Sequence, residues 1–207
     1  MYIPASFSEI DRTRLFNFID RHNFGLVVSQ MDHEPFATHL PLLLDRQAGP
    51  WGTLFGHVAR DNPQWQATDR NVLVVFSGPH AYISPTWYEA KNVVPTWNYV
   101  AVHVSGTLQI VDEGEATLHI LRDLVSFQEK SMPSPWNFPD DDAYAGVLAQ
   151  SVVAFRVEIT RIEGKWKLSQ NHARQRREKV IAALALQADE NSQAIAALME
   201  RTLHELE

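Results

Sequence analysis

The chain has 207 residues, 45% of them hydrophobic and 10% aromatic, which suits one folded domain with terminal additions and excludes a disordered segment. Eighteen basic residues against twenty-five acidic ones give a formal charge of -7, which opposes non-specific attraction to a polyphosphate, and the lack of cysteine excludes disulfides, thiolate zinc sites and cysteine nucleophiles. No apolar run approaches the ~20 residues that span a bilayer, and Met1 leads directly into Tyr2-Ile3-Pro4, so the expectation is a cytoplasmic protein without a membrane partner.

In chain order, Ser6 with Glu9 matches a capping box, and Leu15, Phe18, Ile19 and His22 recur at helical spacing, predicting a helix over 7–22. FGLVVSQ, ATHLPLLLD and GTLFGHVA then read as strands separated by turn-prone segments. DNPQW reads as a short helical turn with Asp61 as its cap and Pro63 near its start. The β-branched run NVLVVFSG predicts a strand buried on both faces, and HAYIS and WNYVAVHVSGTLQIV are the next strands. Helices are expected over Glu115 to Phe127 and Asp141 to Ala149, with the proline-rich loop SMPSPWNFPDD between them. VVAFRVEITRIEG alternates like a half-buried strand, and two helices with a break near 188–191 close the chain.

The signatures of hydrolases, P-loop NTPases, Rossmann dehydrogenases and zinc proteases are absent, and no catalytic residue is assigned. Nine histidines (His22, His33, His39, His57, His80, His103, His119, His172 and His204) lack the close spacing of metal ligands, so no metal is expected.

Five stretches invite a functional reading. GHVARDNPQW places His57 and Arg60 at a strand end before a helical turn, which could present a cation, an imidazole and backbone N–H groups to an anion, or be a solvated polar strand end. In ATHLPLLL, Pro41 cannot donate to a ladder, so the stretch lies at an edge, against a flat ligand or at a bulge. Period-2 alternation puts Asn98, Val100, Val102 and Val104 toward the core and Trp97, Tyr99, Ala101, His103 and Ser105 on the other side, a composition suited to an interface or ligand unless a helix of the same chain covers it. GKWKLSQN concentrates donors around one tryptophan, either at a strand end or in a solvated loop. The cluster Arg174, Arg176, Arg177 and Lys179 opposes the dipole of the helix it begins, which fits either an acidic partner or a solvated face.

Together, Y-I-P-x-x-F, ATHLPLLL, GHVARDNPQW, FSGPHAYISPTWY, VPTWNYVAVHVSG and GKWKLSQN resemble the PaiB family of flavin mononucleotide (FMN)-binding split-barrel proteins, named as negative regulators of sporulation and protease synthesis. The resemblance implies a mainly β fold with α additions, a six-stranded antiparallel, Greek-key-like split barrel with flanking helices. It would occupy residues 1–171, followed by a C-terminal helical extension over 172–207. It also implies a homodimer with FMN at the interface. Carried onto this chain, the flavin contacts are Thr38, His39, Leu40, Pro41, His57, Val58, Ala59, Arg60 and Asn62. Trp97, Tyr99 and His103 face the predicted flavin and dimer surface, and Lys167, Ser169, Gln170 and Asn171 supply donors.

The chain departs from the pyridoxamine-phosphate oxidase pattern R-Q-V-R-x-x-G. Ala101 and His103 replace its glutamine and arginine, which disfavours that activity. The resemblance leads to a dimeric flavin-binding transcriptional regulator whose effect on DNA is either indirect or confined to the Arg174, Arg176, Arg177 and Lys179 cluster. The rival readings are an FMN-dependent oxidoreductase acting on a small molecule, and a module for another flat ligand such as haem with His57 and His103 as axial ligands.

Overall fold

The computed structural model describes residues 1–111, 114–138 and 142–204, the side chains of 142 and 143 excepted. Asp11, rather than Ser6, starts the first helix: its Oδ1 accepts the Arg14 amide at 2.9 Å and its carbonyl accepts the Leu15 amide at 3.0 Å. α1 therefore spans Arg12–Arg21, and the residues before it form a 3-10 turn, Ala5–Phe7, and the short strand β1, Ser8–Glu9. The capping-box expectation fails because Glu9 turns forward, accepting the Asp11 amide at 2.8 Å and pairing with Arg14 at 3.0 Å.

The remaining strands are β2 (Phe24–Met31), β3 (Glu34–Pro41), β4 (Leu43–Asp45), β5 (Thr53–Ala59), β6 (Arg70–Ile83), β7 (Thr96–Ile110) and β8 (Val152–Lys167). The helices are α2 (Glu115–Glu129), α3 (Asp142–Gln150), α4 (Arg174–Ala185) and α5 (Glu190–His204). Hydrogen bonding runs in the order β3-β2-β6-β7-β8-β5-β4, with β1 beside β8, and the path is not closed. The registers are antiparallel, with Val27 opposite Thr38 and His57 opposite Ala154.

Three expectations change. ATHLPLLLD is not one strand, because the Leu42 amide turns to the Asn23 carbonyl (2.9 Å) and separates β3 from β4. NVLVVFSG and HAYIS are one strand, β6. It is not buried on both faces, since Val72, Val74 and Phe76 are buried while Leu73 and Val75 between them are half-buried. Asn62, rather than Asp61, caps the 3-10 turn Pro63–Ala67. The start of the second predicted helix at Asp141 lies outside the described residues. The triplet Pro-Thr-Trp occurs twice, at 85–87 and 95–97, each time at a strand boundary: Ser84 accepts the Thr86 amide at 3.3 Å as the chain leaves β6, and Thr96 of the second copy begins β7.

The chain folds as two compact units, and β6, β7 and β8 supply residues to both. Unit 1 comprises 1–15, 77–102 and 163–207, with Ile83, Tyr88, Leu168, Leu184, Ile195 and Met199 fully buried and α4 packed on α5. Unit 2 comprises 16–76 and 103–162; its α2 lays Ile120 and Leu124 on Ala154, beside Leu43, Phe55 and Val111. Each such buried aliphatic side chain contributes about 1.5–3 kcal/mol. In unit 2 a Cβ on Gly106 would stand 2.4 Å from the Glu158 carbonyl oxygen, so only glycine lets β7 lie this close to β8.

Candidate functional site

In unit 2, GHVARDNPQW folds as a strand end clamped to a capped turn. The Asn62 side chain accepts the Gln64 amide at 2.9 Å, as a cap should, and its Nδ2 donates to the Thr38 hydroxyl of β3 at 3.1 Å. Buried Gln64 donates to the Val27 carbonyl (2.9 Å) and the Ser29 hydroxyl (3.1 Å), while the Trp65 indole donates to the Arg60 carbonyl at 3.0 Å. These clamps hold the turn against β2 and β3. The expected group Thr38, His39, Leu40 and Pro41 on β3, His57, Val58, Ala59 and Arg60 at the end of β5, and Asn62 is thus brought together, since β3 lies against both β5 and the turn.

His57 is half-buried, and desolvation lowers its pKa, so the ring is neutral at neutral pH. Its Nδ1 is buried without a hydrogen-bond partner. A bare lone pair is cheaper to bury than an N–H, so the proton sits on Nε2, leaving a donor on the less buried side of the ring. Arg60 donates from Nε to the Gln150 carbonyl (2.6 Å) and from Nη2 to the Val152 carbonyl (2.9 Å), which fixes its guanidinium where α3 hands over to β8. On β3, Leu40 is buried and Thr38 half-buried, while His39 is exposed and stacks on Phe24 at 5.9 Å. A neutral donor, a cation, a capped turn and a strand edge suit a flat cofactor with an anionic tail, so FMN fits these residues.

A groove of about 710 Å³ also opens in unit 2, lined among others by Ser29, His33, Asn71, Ser105, Thr160 and Arg161. Arg161 donates to the Ser105 hydroxyl at 3.3 Å, and Val28 and Leu73 form an apolar part of the wall. None of the residues carried over as flavin contacts lines it; Ser105, on the β7 face the alternation singled out, does, and half-buried His103 shares that face. The alternation of β7 pointed to this face; the other contributors are scattered along the chain and left no local signal.

The other predicted residues belong to unit 1 and divide by role. Ser169, at a positive φ of 62° and buried, accepts from Asn98 Nδ2 at 3.0 Å, donates to Asn98 Oδ1 at 3.3 Å and meets the Tyr88 hydroxyl at 3.4 Å. Gln170 closes its own turn, accepting the Leu168 amide (2.7 Å) and donating to the Trp166 carbonyl (2.6 Å). Both are therefore committed to internal bonds. Lys167 donates to the Thr96 hydroxyl and to the Trp97 carbonyl (2.6 Å), and Asn171 is exposed. Trp97 is 53% exposed beside Tyr82 and His80, at 5.9 and 6.0 Å, while Tyr99 lies against the Lys165 ammonium.

Three of the four members of the basic cluster are engaged within the chain. Arg177 is buried and bonded to the Thr202 hydroxyl, Arg174 pairs with Glu178 at 2.9 Å, and Lys179 pairs with Glu89.

A protein-family model described as "Putative FMN-binding domain" matches residues 1–161. Over 206 residues, 98% of each chain, the sequence is 34% identical to "Protease synthase and sporulation protein PAI 2" of Bacillus subtilis. The chain belongs to the PaiB family. PaiB-like sequence extends to yeast: 161 residues are 30% identical to an uncharacterised protein of Saccharomyces cerevisiae, covering 66% of this chain and 95% of that one. Among solved structures, the flavocytochrome Anf3 of Azotobacter vinelandii matches with a TM-score of 0.58 at 14% identity, covering 77% of this chain and 69% of its own. The FAD and heme binding protein of Mycobacterium smegmatis matches with 0.58 at 15% identity, covering 84% and 79%. At such identities the likeness is one of fold, the split barrel expected of PaiB proteins, and FMN is the cofactor the family assigns. Among the described residues no helix is long and apolar enough to cross a membrane.

Proposed function

We propose that the protein is a cytoplasmic, dimeric flavin-binding regulator of the PaiB type, with residues 1–171 as its flavin domain and 172–207 as a helical extension. The residues that would hold FMN are Thr38, His39, Leu40 and Pro41 along β3, while the end of β5 (His57, Val58, Ala59, Arg60) and the turn capped by Asn62 would take its phosphate. The observation that carries this reading is the neutral, half-buried His57 with a partnerless inner nitrogen, beside a turn whose cap is tied to the open edge of β3. In that arrangement the His57 Nε2–H and the Arg60 guanidinium would bind the anionic tail, and the Asn62–Thr38 hydrogen bond sets the spacing between edge and turn. Bound FMN supplies a ring that accepts and returns electrons. The exposed Phe24–His39 stack supports a partner subunit closing over that edge. The regulatory role rests on the printed name of the Bacillus relative. The burial of Arg177 and the pairing of Arg174 and Lys179 favour regulation through flavin state over direct DNA contact at that cluster.

The test is a fluorescence titration of FMN into flavin-stripped protein. His57→Ala removes a hydrogen bond to a charged group and weakens binding at least 10-fold, with the oligomeric state read by light scattering. Unchanged FMN affinity in that variant refutes the placement, and a monomer at all concentrations refutes the dimer. A second reading, an FMN-dependent oxidoreductase acting on a small molecule, draws on the groove at Ser105, whose 710 Å³ has room for a small substrate. Steady NAD(P)H oxidation by the holoprotein would favour it, and bound flavin that NAD(P)H does not reduce would count against it.

A further inference from the structure

The groove of unit 2 runs across β2, β6, β7 and β8, which are successive neighbours in the sheet, and is bounded by the hairpin that joins β2 to β3. Alternation along the strands explains its floor: Val27, Val72, Val74, Val104 and Ile159 are buried, so Val28, Leu73, Ser105 and Thr160 turn to the opposite face. Val28 and Leu73 stand directly across from each other in the β2–β6 register. The hairpin turn is Asp32-His33, with φ of 48° and 67°. Glycine is preferred at the second place of such a turn, so the histidine that lines the groove there occupies its position against a steric cost.

Ser105 is held twice by β8. The Thr160 hydroxyl donates to its carbonyl at 3.1 Å, and Arg161 Nη2 donates to its hydroxyl oxygen at 3.3 Å. A hydroxyl that accepts from a cation turns its own proton away from that cation, so Ser105 is an oriented donor, and the five N–H donors of a guanidinium serve several acceptors at once. Arg161 and His33 are the ionisable residues of the lining, which contains no aspartate or glutamate in a chain that has twenty-five of them. The acids closest along β8 lie outside the groove: Glu158 pairs with Arg156 at 3.2 Å and Glu163 with the Met1 ammonium at 3.0 Å. Val28 and Leu73 offer only hydrocarbon. Because β2 and β6 precede β7 and β8 in the sheet, the apolar pair and the donors occupy different halves of the groove, separated by about two strand spacings or ~10 Å, the reach of a short hydrocarbon chain.

We propose that this groove binds a small carboxylic acid as its anion, the carboxylate on Ser105 and Arg161 and a short apolar body over Val28 and Leu73, with His33 closing the hairpin side. A cation and an oriented hydroxyl beside hydrocarbon suit that ligand, and a lining without acids repels no anion and attracts no amine. The oxidoreductase reading uses the same groove, but the proposal asks only for binding and holds equally for an effector of a regulator.

The experiment titrates FMN-loaded protein, in its native oligomeric state, with hexanoate, acetate, hexanamide and hexylamine by calorimetry. Hexanoate binds. Acetate lacks the hydrocarbon and binds at least about 10-fold more weakly; hexanamide keeps the shape without the charge and also loses about 10-fold; hexylamine does not bind. Arg161→Met weakens hexanoate about 10-fold, Arg161→Lys keeps part of the affinity, and Ser105→Ala costs several-fold. His33→Gly also costs several-fold while its thermal midpoint does not fall, since glycine suits the turn, so binding lost there is not folding lost. FMN affinity stays within about twofold in every variant, because none of these residues belongs to the His57 site. Hexanoate binding without NAD(P)H oxidation supports the proposal and counts against the oxidoreductase reading alone. The proposal is overturned if hexanoate fails to bind at ~10 mM, as it would if a partner subunit filled the groove. It is equally overturned if hexanamide or hexylamine binds as well as hexanoate, if the variants bind like the parent, or if they lose FMN in step with hexanoate.

Discussion

Asn98 is fully buried on the valine side of β7, and its role separates a structural latch from a cofactor contact at Ser169. The carboxamide both donates to and accepts from the Ser169 hydroxyl, at 3.0 and 3.3 Å, and reaches Met199 Sδ at 3.3 Å. Asn98→Ala removes the two hydrogen bonds to Ser169, worth about 0.5–1.5 kcal/mol each, together with the weaker one to Met199 Sδ, and leaves the serine hydroxyl only the long Tyr88 contact, at 3.4 Å. Adding about 1 kcal/mol for the space vacated among packed side chains gives a loss of roughly 3 kcal/mol, or about 6–12 °C in the melting midpoint of a chain this size. Ser169→Gly loses the two Asn98 bonds and the long Tyr88 contact but keeps the Asn98–Met199 one and releases a non-glycine residue from φ 62°, so it should be about 1 kcal/mol milder. Urea unfolding followed by tryptophan fluorescence measures both, and FMN titration of the same variants supplies the control. A loss under 1 kcal/mol in Asn98→Ala, or an FMN affinity that collapses in Ser169→Gly while stability holds, would refute the latch and restore Ser169 to the flavin.

Gly106→Ala drives a methyl to 2.4 Å from the Glu158 carbonyl and 2.7 Å from Val157, atoms of a paired strand that cannot step aside, so a loss of about 3 kcal/mol is expected in thermal unfolding; a near-neutral result would mean that β7 and β8 are less closely packed. Burial lowers the folded-state pKa of His57 below the ordinary 6.5. Above that pH both states hold the ring neutral and stability is whole; as pH falls through 6.5 toward the lower folded pKa, the unfolded chain takes up a proton that the folded chain refuses, and stability drops. His57→Gln should therefore flatten the decline in urea midpoint between pH 8 and 5, and a variant with the parent's slope would show that the ring is not desolvated.

The parity of β7 was legible because period 2 is rigid: Asn98, Val100, Val102 and Val104 are all buried and Trp97 is half-exposed. Ala101 breaks the pattern at 9% exposure, because a side chain that small is covered by its neighbours' bulk. The cap at Asn62 was also readable, since proline at the first helical position makes the residue before it the cap, and Asp61 is one place too early. The roles of Ser169 and Gln170 were not. A polar residue after a strand looks alike whether it faces a ligand or the interior, and the partner that decides the matter for Ser169 lies 71 positions away.

The edge position of β3 has a consequence for association. An unpaired strand invites a foreign chain to add to it, and β3 ends the hydrogen-bonded path of the sheet. Pro35 and Pro41 stand at the second and last positions of the strand, where neither has an N–H to offer. Between them remains a donor row too short to template a stable intruding strand, with Leu40 already turned inward. A sheet guarded in this way can leave one margin open to a planar molecule without becoming a seed for aggregation. Replacing either proline would remove that safeguard before it disturbed the fold.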